Sequence, residues 1–440
     1  MSGLIHKDST ACAKTELDLF LIPPTQTAIE KGHFIEYHPL ANIHDGGPVE
    51  FNISGNGEDY MDLSQSYLYV KVKIVKPDGT NLKNDDKVAP VNLFLHALFS
   101  QIDVSLNERT ITSSSNSYPY RAYIETLLNY GEDAKKSILT CECFYKDKFL
   151  TATDPTLAAN GNPGLKKRYE LTKESKTVDL IGPLHCDVFQ QNRLLLNLVD
   201  LKIKMTRSKP DFCLMAPVEP TKPSPDYKIL LDHASIFIRK VKVSPGVLLG
   251  HAKALEKSSA KYPIDRVLCK SYSISMGSRS FMQDNVFLGP MPKRIIIALL
   301  ENAAMSGQYD LNPFYFNHHN VNFISIYVDG QPLPSKSLEL NFSRNNFIRA
   351  YHRLFCGFNR DAGNYLTREE FADGHTIYAF DLTPDMCDGP HLNLQQQGNL
   401  RIEIKFDSAL TQTISVLVYA EFENIIEISK SRHVICDFPN

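Results

Sequence analysis

Four places in the chain combine residue types and spacings that could carry chemistry: His318-His319, Cys141-x-Cys143, Lys166-Lys167-Arg168 and Gly55-Asn56-Gly57. A metal site on a β-sandwich needs histidines at alternating strand positions with a carboxylate nearby, so that the donors share one face. Adjacent His318 and His319 would point to opposite faces, which assigns them to a loop or surface. Cys141 and Cys143 would face the same side of a strand, but a zinc site takes four ligands and no second pair with metal spacing follows. They read as structural thiols. The basic triplet lies in a long polar stretch and reads as a solvated loop face, with anionic partners such as glycan, membrane or genome as the alternative. The glycine triplet lacks the third glycine and the strand-to-helix setting of a dinucleotide loop, so it reads as a surface turn. No GxxxxGK[ST], HExxH or GxSxG motif occurs. The expectation is a protein with no catalytic, cofactor-binding or metal-ligating residues, and no cofactor.

Composition bounds the rest. The 440 residues suit two or three domains, and 43% hydrophobic with 22% charged residues is a globular balance. A net charge of −3 without a long run of one sign argues against gripping nucleic acid. The apolar run IIIALL (295–300) is far too short to span a bilayer. The start MSGLIHKDSTACAK has no apolar core after a basic flank, so no secretory leader is expected. Nine scattered cysteines are then reduced thiols in a cytosolic or nuclear setting. Asn52-Ile53-Ser54 and Asn341-Phe342-Ser343 fit the glycosylation pattern and would remain bare without export.

The elements that must position these residues are mostly strands. SYLYVKVKIVKPDGT (66–80) alternates Leu68, Val70, Val72 and Ile74 with Tyr67, Tyr69, Lys71 and Lys73 before a Pro-Asp-Gly break. QIDVSLN (101–107) and ISIYVDGQPL (324–333) alternate likewise, the latter ending in the hairpin signal Asp329-Gly330. Helices are few. In YRAYIETLL (120–128), Tyr120, Tyr123, Ile124, Leu127 and Leu128 make one apolar helical face. VNLFLHALF (91–99) has similar spacing. Residues 151–177 and 356–375 read as extended surface loops.

IRAYHRLF (348–355) echoes the 120–128 segment, and its neighbours echo too, in the same order. SYLYVKVKIV corresponds to RIIIALL, the Ile102 strand to the Ile324 strand, residues 179–205 to 381–406, and 228–244 to 414–430. Ordered matches of this kind imply a tandem duplication of one all-β domain. Eight antiparallel strands with long loops imply a jelly roll, hence two in one chain. The expected organisation is an extended arm over 1–29, a first jelly roll over 30–245, a linker over 246–262, a second jelly roll over 263–430 and a tail over 431–440.

FLIPPTQTAIEKG (20–32), PVNLFLHALFSQIDVSLN (90–107), SNSYPYRAYIETLLNYG (115–131) and DLIGPLHCDVFQQNRLLLN (179–197) resemble the major capsid proteins of Polinton (Maverick) elements and adintoviruses. The resemblance spans nearly the whole chain and is strongest over 20–245. It implies a double jelly roll of the hexon type, a homotrimer that tiles an icosahedral shell beside neighbouring trimers, penton and minor capsid proteins. It implies no catalytic residues and no sequence-specific nucleic acid contact; membrane contact is left open. The alternatives are a tandem jelly-roll module for glycans or receptors and a two-domain metal enzyme. The latter lacks its histidine and carboxylate constellation.

Overall fold

The computed structural model describes residues 8–438 except 11, 13, 45, 56, 114–115, 157–160, 219–225, 356–365 and 387–390. The first half supplies strands β1 (Ile29–Tyr37), β2 (Val49–Ile53), β3 (Tyr60–Val75), β4 (Ala89–Pro90), β5 (Phe99–Leu106), β6 (Arg109–Ser113), β7 (Val178–Pro183), β8 (Leu201–Arg207), β9 (Leu214–Met215) and β10 (Lys228–Val243). They form sheets of order β1-β10-β3-β7 and β2-β8-β5-β6, with β4 and β9 as a small separate pair. The second half supplies β11 (Ala260–Ile274), β12 (Ser280–Gln283), β13 (Leu288–Pro290), β14 (Arg294–Glu301), β15 (Val321–Val328), β16 (Gln331–Glu339), β17 (Ile377–Asp381), β18 (Gln397–Phe406), β19 (Ile414–Ile428) and β20 (Val434–Cys436). Its sheets run β11-β19-β14-β17 and β12-β18-β15-β16, with β13 beside β18 and β20 beside β19.

Setting aside the short extra strands, the eight strands of each half pair in one order: first-eighth-third-sixth and second-seventh-fourth-fifth. The paired strands are antiparallel throughout. Each half is therefore a jelly roll, and the chain is a double jelly roll. The period-two pattern explains the faces. In β3, Leu68, Val70, Val72 and Ile74 are at most 1% exposed, whereas Lys71 points to solvent. The four correspondences between strand segments fall on strands of the same rank: β3 with β14, β5 with β15, β7 and β8 with β17 and β18, and β10 with β19. Both Arg-Ala-Tyr segments are helical, over Tyr118–Asn129 and Ile348–Arg353, and both lie between the fifth and sixth strands of their half.

Four segments differ from the sequence reading. A helix over Pro245–Leu255 occupies the junction of the expected first jelly roll (30–245) and linker (246–262), started by Pro245 at its first turn, where the missing N–H costs nothing. The polar stretch 151–177, read as loop, contains the helix Pro163–Thr172, also with proline at its start. Gly164 lets that helix approach closely, because a Cβ there would lie 2.2 Å from the Lys146 carbonyl oxygen. Residues 431–440, read as tail, include β20 on the edge of β19. The loop reading of 356–375 covers 356–365, which lie outside the described residues, and the helix Arg368–Ala372.

The two jelly rolls share their cores. Tyr120, Tyr123, Leu127, Phe144 and Leu165 of the first half join the apolar cluster of the second, while Tyr262, Ile264, Ile426 and Phe438 join that of the first. The apolar helical face of Tyr118–Asn129 leaves open which surface covers Tyr123. Its ring stacks on Phe314 at 4.6 Å, and its hydroxyl is 3.3 Å from His375 Nε2, both in the second half. Tyr351 packs on Phe355 and Phe371 and donates to the Leu366 carbonyl at 2.8 Å.

Candidate functional site

Burial of charge concentrates at the seam between the jelly rolls. The helix Tyr118–Asn129 is buried on nearly all sides, so its polar residues have to find partners inside the protein. Arg121 and Glu125, one turn apart, lie on the face that meets the seam. Arg121 donates through Nε to Glu125 (2.8 Å) and through a terminal nitrogen to Asp187 (2.6 Å). Asp187 also accepts from the Thr112 hydroxyl (2.9 Å) and from the Val267 backbone N–H (3.2 Å), which belongs to the second jelly roll. Glu125 contacts His185 Nδ1 at 2.6 Å and accepts from Tyr419 of the second half at 3.2 Å. Burial pushes the Glu125 carboxyl up, but the Arg121 guanidinium and the His185 contact outweigh it and bring it down to about 2. It is a carboxylate.

A cleft of about 560 Å³ opens onto this network, with Gln65, Glu125, His185, Gln190, Tyr419 and Glu421 among its walls. On its far side Glu421 sits 3.6 Å from Arg294, and Lys293 bonds Asp265 at 2.7 Å. Burial raises the Glu421 carboxyl, with Lys293 and Arg294 opposing. Behind His185 lies a second buried group. His96 places Nδ1 2.8 Å from the Tyr118 hydroxyl and Nε2 3.1 Å from Glu142, and its ring meets that of His185 edge-on at 4.7 Å. Burial lowers the His96 pKa, with the Glu142 contact opposing.

The residues singled out in the sequence lie elsewhere and apart. His318 and His319 occupy the turn before β15, where the His318 ring stacks on Phe342 at 4.1 Å. Cys141 and Cys143 are not on a strand: they fall in and after a 3-10 turn (Ile138–Glu142), Cys141 exposed and Cys143 buried with φ of 62°. Their sulfurs therefore do not share a side. Of the basic triplet, Lys166 and Lys167 border solvent, but Arg168 is 0% exposed, which overturns its reading as a solvated residue. Its guanidinium donates to both Asp147 oxygens (2.7 and 2.8 Å) and to the Pro90 carbonyl (2.7 Å). Gly55 packs against the backbone of Val199, and its N–H bonds Asp200 at 2.8 Å; Asn56 lies outside the described residues. Asn52 is exposed on β2, while the Asn341 side chain accepts the Arg344 N–H and caps a short turn.

Sequence reasoning missed the seam. The i, i+4 spacing of Arg121 and Glu125 was visible, but nothing local says that both are buried. His96, Glu142 and His185 are spread over some ninety positions and meet only through the fold.

No protein-family model matches the chain. An uncharacterized protein of Caenorhabditis elegans is 24% identical over 436 residues, spanning 94% of this chain and 99% of that protein. Among solved structures, a chain of the Sputnik virophage superposes with a TM-score of 0.69 at 11% identity, covering 99% of this chain and 94% of that one. The mavirus major capsid protein superposes with a TM-score of 0.56 at 11% identity, covering 99% and 97%. At these identities the likeness is one of fold, and it extends over both jelly rolls.

Proposed function

We propose that this chain is a viral-type major capsid protein, a structural capsomer that assembles as a homotrimer and tiles an icosahedral shell. The observation that carries the reading is the tandem pair of jelly rolls with identical strand order, packed through shared cores, matching capsid chains over nearly their whole length. Two similar units per subunit give a threefold trimer six similar units around its axis, a near-hexagonal tile. The resemblance to Polinton and adintovirus capsid proteins refines the reading, and a relative encoded in a nematode fits an integrated element.

The arm before β1 supports self-assembly. Leu19, Phe20, Leu21 and Ile22 are 74–94% exposed within a single chain, a consecutive apolar run that invites cover by a neighbouring subunit or the shell's inner face. Light scattering on the purified chain tests the proposal: a particle of three times 49.7 kDa, and shells in electron micrographs, are expected. A stable monomer at micromolar concentration would overturn it and favour a lone glycan- or receptor-binding module. Removing residues 1–25 should leave the trimer and abolish or weaken shells.

A further inference from the structure

We propose that His96, His185 and Glu142 form a buried binding site for one divalent transition-metal ion of the zinc class. One donor atom from each residue lies within 4.8 Å of the others, and the side chains are at most 5% exposed. In a tetrahedral zinc site with bonds of about 2.0–2.1 Å, neighbouring donors stand roughly 3.3 Å apart. His96 Nε2 and Glu142 Oε2 already stand at 3.1 Å. The His185 donor, within 4.8 Å of both, needs to close by up to about 1.5 Å, within reach of a side-chain rotation.

The surroundings are those of a ligand set. His185 is held through Nδ1 by the Glu125 carboxylate at 2.6 Å, which leaves Nε2 as its free donor. His96 is held through Nδ1 by the Tyr118 hydroxyl at 2.8 Å, which turns Nε2 toward Glu142. Carboxylate or hydroxyl support on the far nitrogen fixes the tautomer and orientation that a metal requires. Room for Glu142 is made by Gly182, where a Cβ would come 2.6 Å from the Glu142 Cγ.

Charge points the same way. Arg121 answers Glu125 and Asp187. Among the described residues no lysine or arginine pairs with Glu142, whose partner is His96. A buried carboxylate without a cation is costly, and a divalent ion between it and two imidazoles removes that cost. Two imidazoles and one carboxylate suit zinc over calcium or magnesium, which prefer all-oxygen shells. Entry is available because His185 borders the cleft, and the open fourth position would take water. The site would tie the helix Phe94–Ala97, the 3-10 turn at Glu142 and the segment after β7 together beside the seam.

The test is elemental analysis of untagged full-length chain purified without chelator, followed by cobalt substitution. About one zinc per chain is expected, with a tetrahedral cobalt absorption spectrum after exchange. Chelation should lower the melting temperature, and zinc should restore it. His185→Gln, which borders the cleft and keeps a hydrogen-bonding side chain, should reduce bound zinc at least about tenfold. Two outcomes would overturn the proposal. One is a folded chain that neither holds zinc nor changes its melting temperature when zinc is added. The other is full zinc stoichiometry in both His185→Gln and Glu142→Gln, which would put the ion elsewhere, such as the trio of exposed Glu36 and His38 with half-buried His233. Neither result depends on whether the chain forms trimers.

Discussion

Replacing Arg168 by methionine isolates the contribution of one buried charge to the union of the two jelly rolls. Arg168 spans the interior from the helix Pro163–Thr172 to Pro90, Tyr145 and Asp147, and Asp147 in turn accepts from Asn312 of the second half at 3.1 Å. Methionine keeps most of the apolar length and removes every donor. Two carbonyl oxygens and a carboxylate whose side chain is 4% exposed would then lose the Arg168 donors, the carboxylate keeping Asn312 as its partner among the described residues. Breaking a buried pair by removing one partner costs about 3–5 kcal/mol. Removing both charges is different in kind, because the desolvation of the pair disappears along with its attraction. Arg168→Met with Asp147→Leu should therefore recover part of the loss, the Pro90 and Tyr145 carbonyls still lacking the Arg168 donor. The chain has no tryptophan and 20 tyrosines, so urea unfolding is followed by tyrosine fluorescence and far-ultraviolet circular dichroism. The midpoint of the first transition is the quantity to compare, since two jelly rolls need not unfold together. A single-variant cost below about 1 kcal/mol, or a double variant no better than the single, would refute the account.

Tyr123→Ala should cost about 3–5 kcal/mol because its ring is wholly buried between the halves, whereas half-buried Tyr351→Ala should cost about 1–2 kcal/mol; equal losses in urea midpoints would contradict this asymmetry. Gly55→Ala would bring a methyl to 2.3 Å from the Val199 carbonyl oxygen and should destabilise by about 1–3 kcal/mol, against no change if the turn simply relaxes. Burial holds His375 down at about 4, with Glu370 opposing, while the unfolded side chain titrates near 6.5. The unfolded state thus binds more protons between these values, so the stability is intact above about pH 6.5 and falls by up to about 3 kcal/mol as pH drops toward 4. Melting temperatures measured from pH 7.5 to 4.5 should fall, and His375→Gln should flatten the decline; an identical profile in the variant would rule out this histidine.

Strand identity was legible because alternation is a local property. Leu68, Val70, Val72 and Ile74 declare the buried face of β3 whatever packs on it, and the ordered echoes placed β14, β15, β17, β18 and β19 at matching ranks. Even the second Arg-Ala-Tyr helix, only six residues long, was found by its place in the series. The helix Pro163–Thr172 was not legible: its sequence PGLKKRYELT carries Gly, Pro and four charges, and it persists because Gly164 and Arg168 dock it on Lys146 and Asp147. Likewise Tyr123 showed an apolar helical face but not which surface would cover it, and that surface proved to be Phe314 and Phe316 of the other half. The sequence by itself determined two antiparallel sandwiches in tandem, since periodicity and turn chemistry act over a few residues. Only the tertiary structure decided how they join, buried Arg121 and Arg168, and brought His96, Glu142 and His185 together. Desolvation and ligand geometry depend on residues far apart in sequence, and no local pattern encodes which of them will meet.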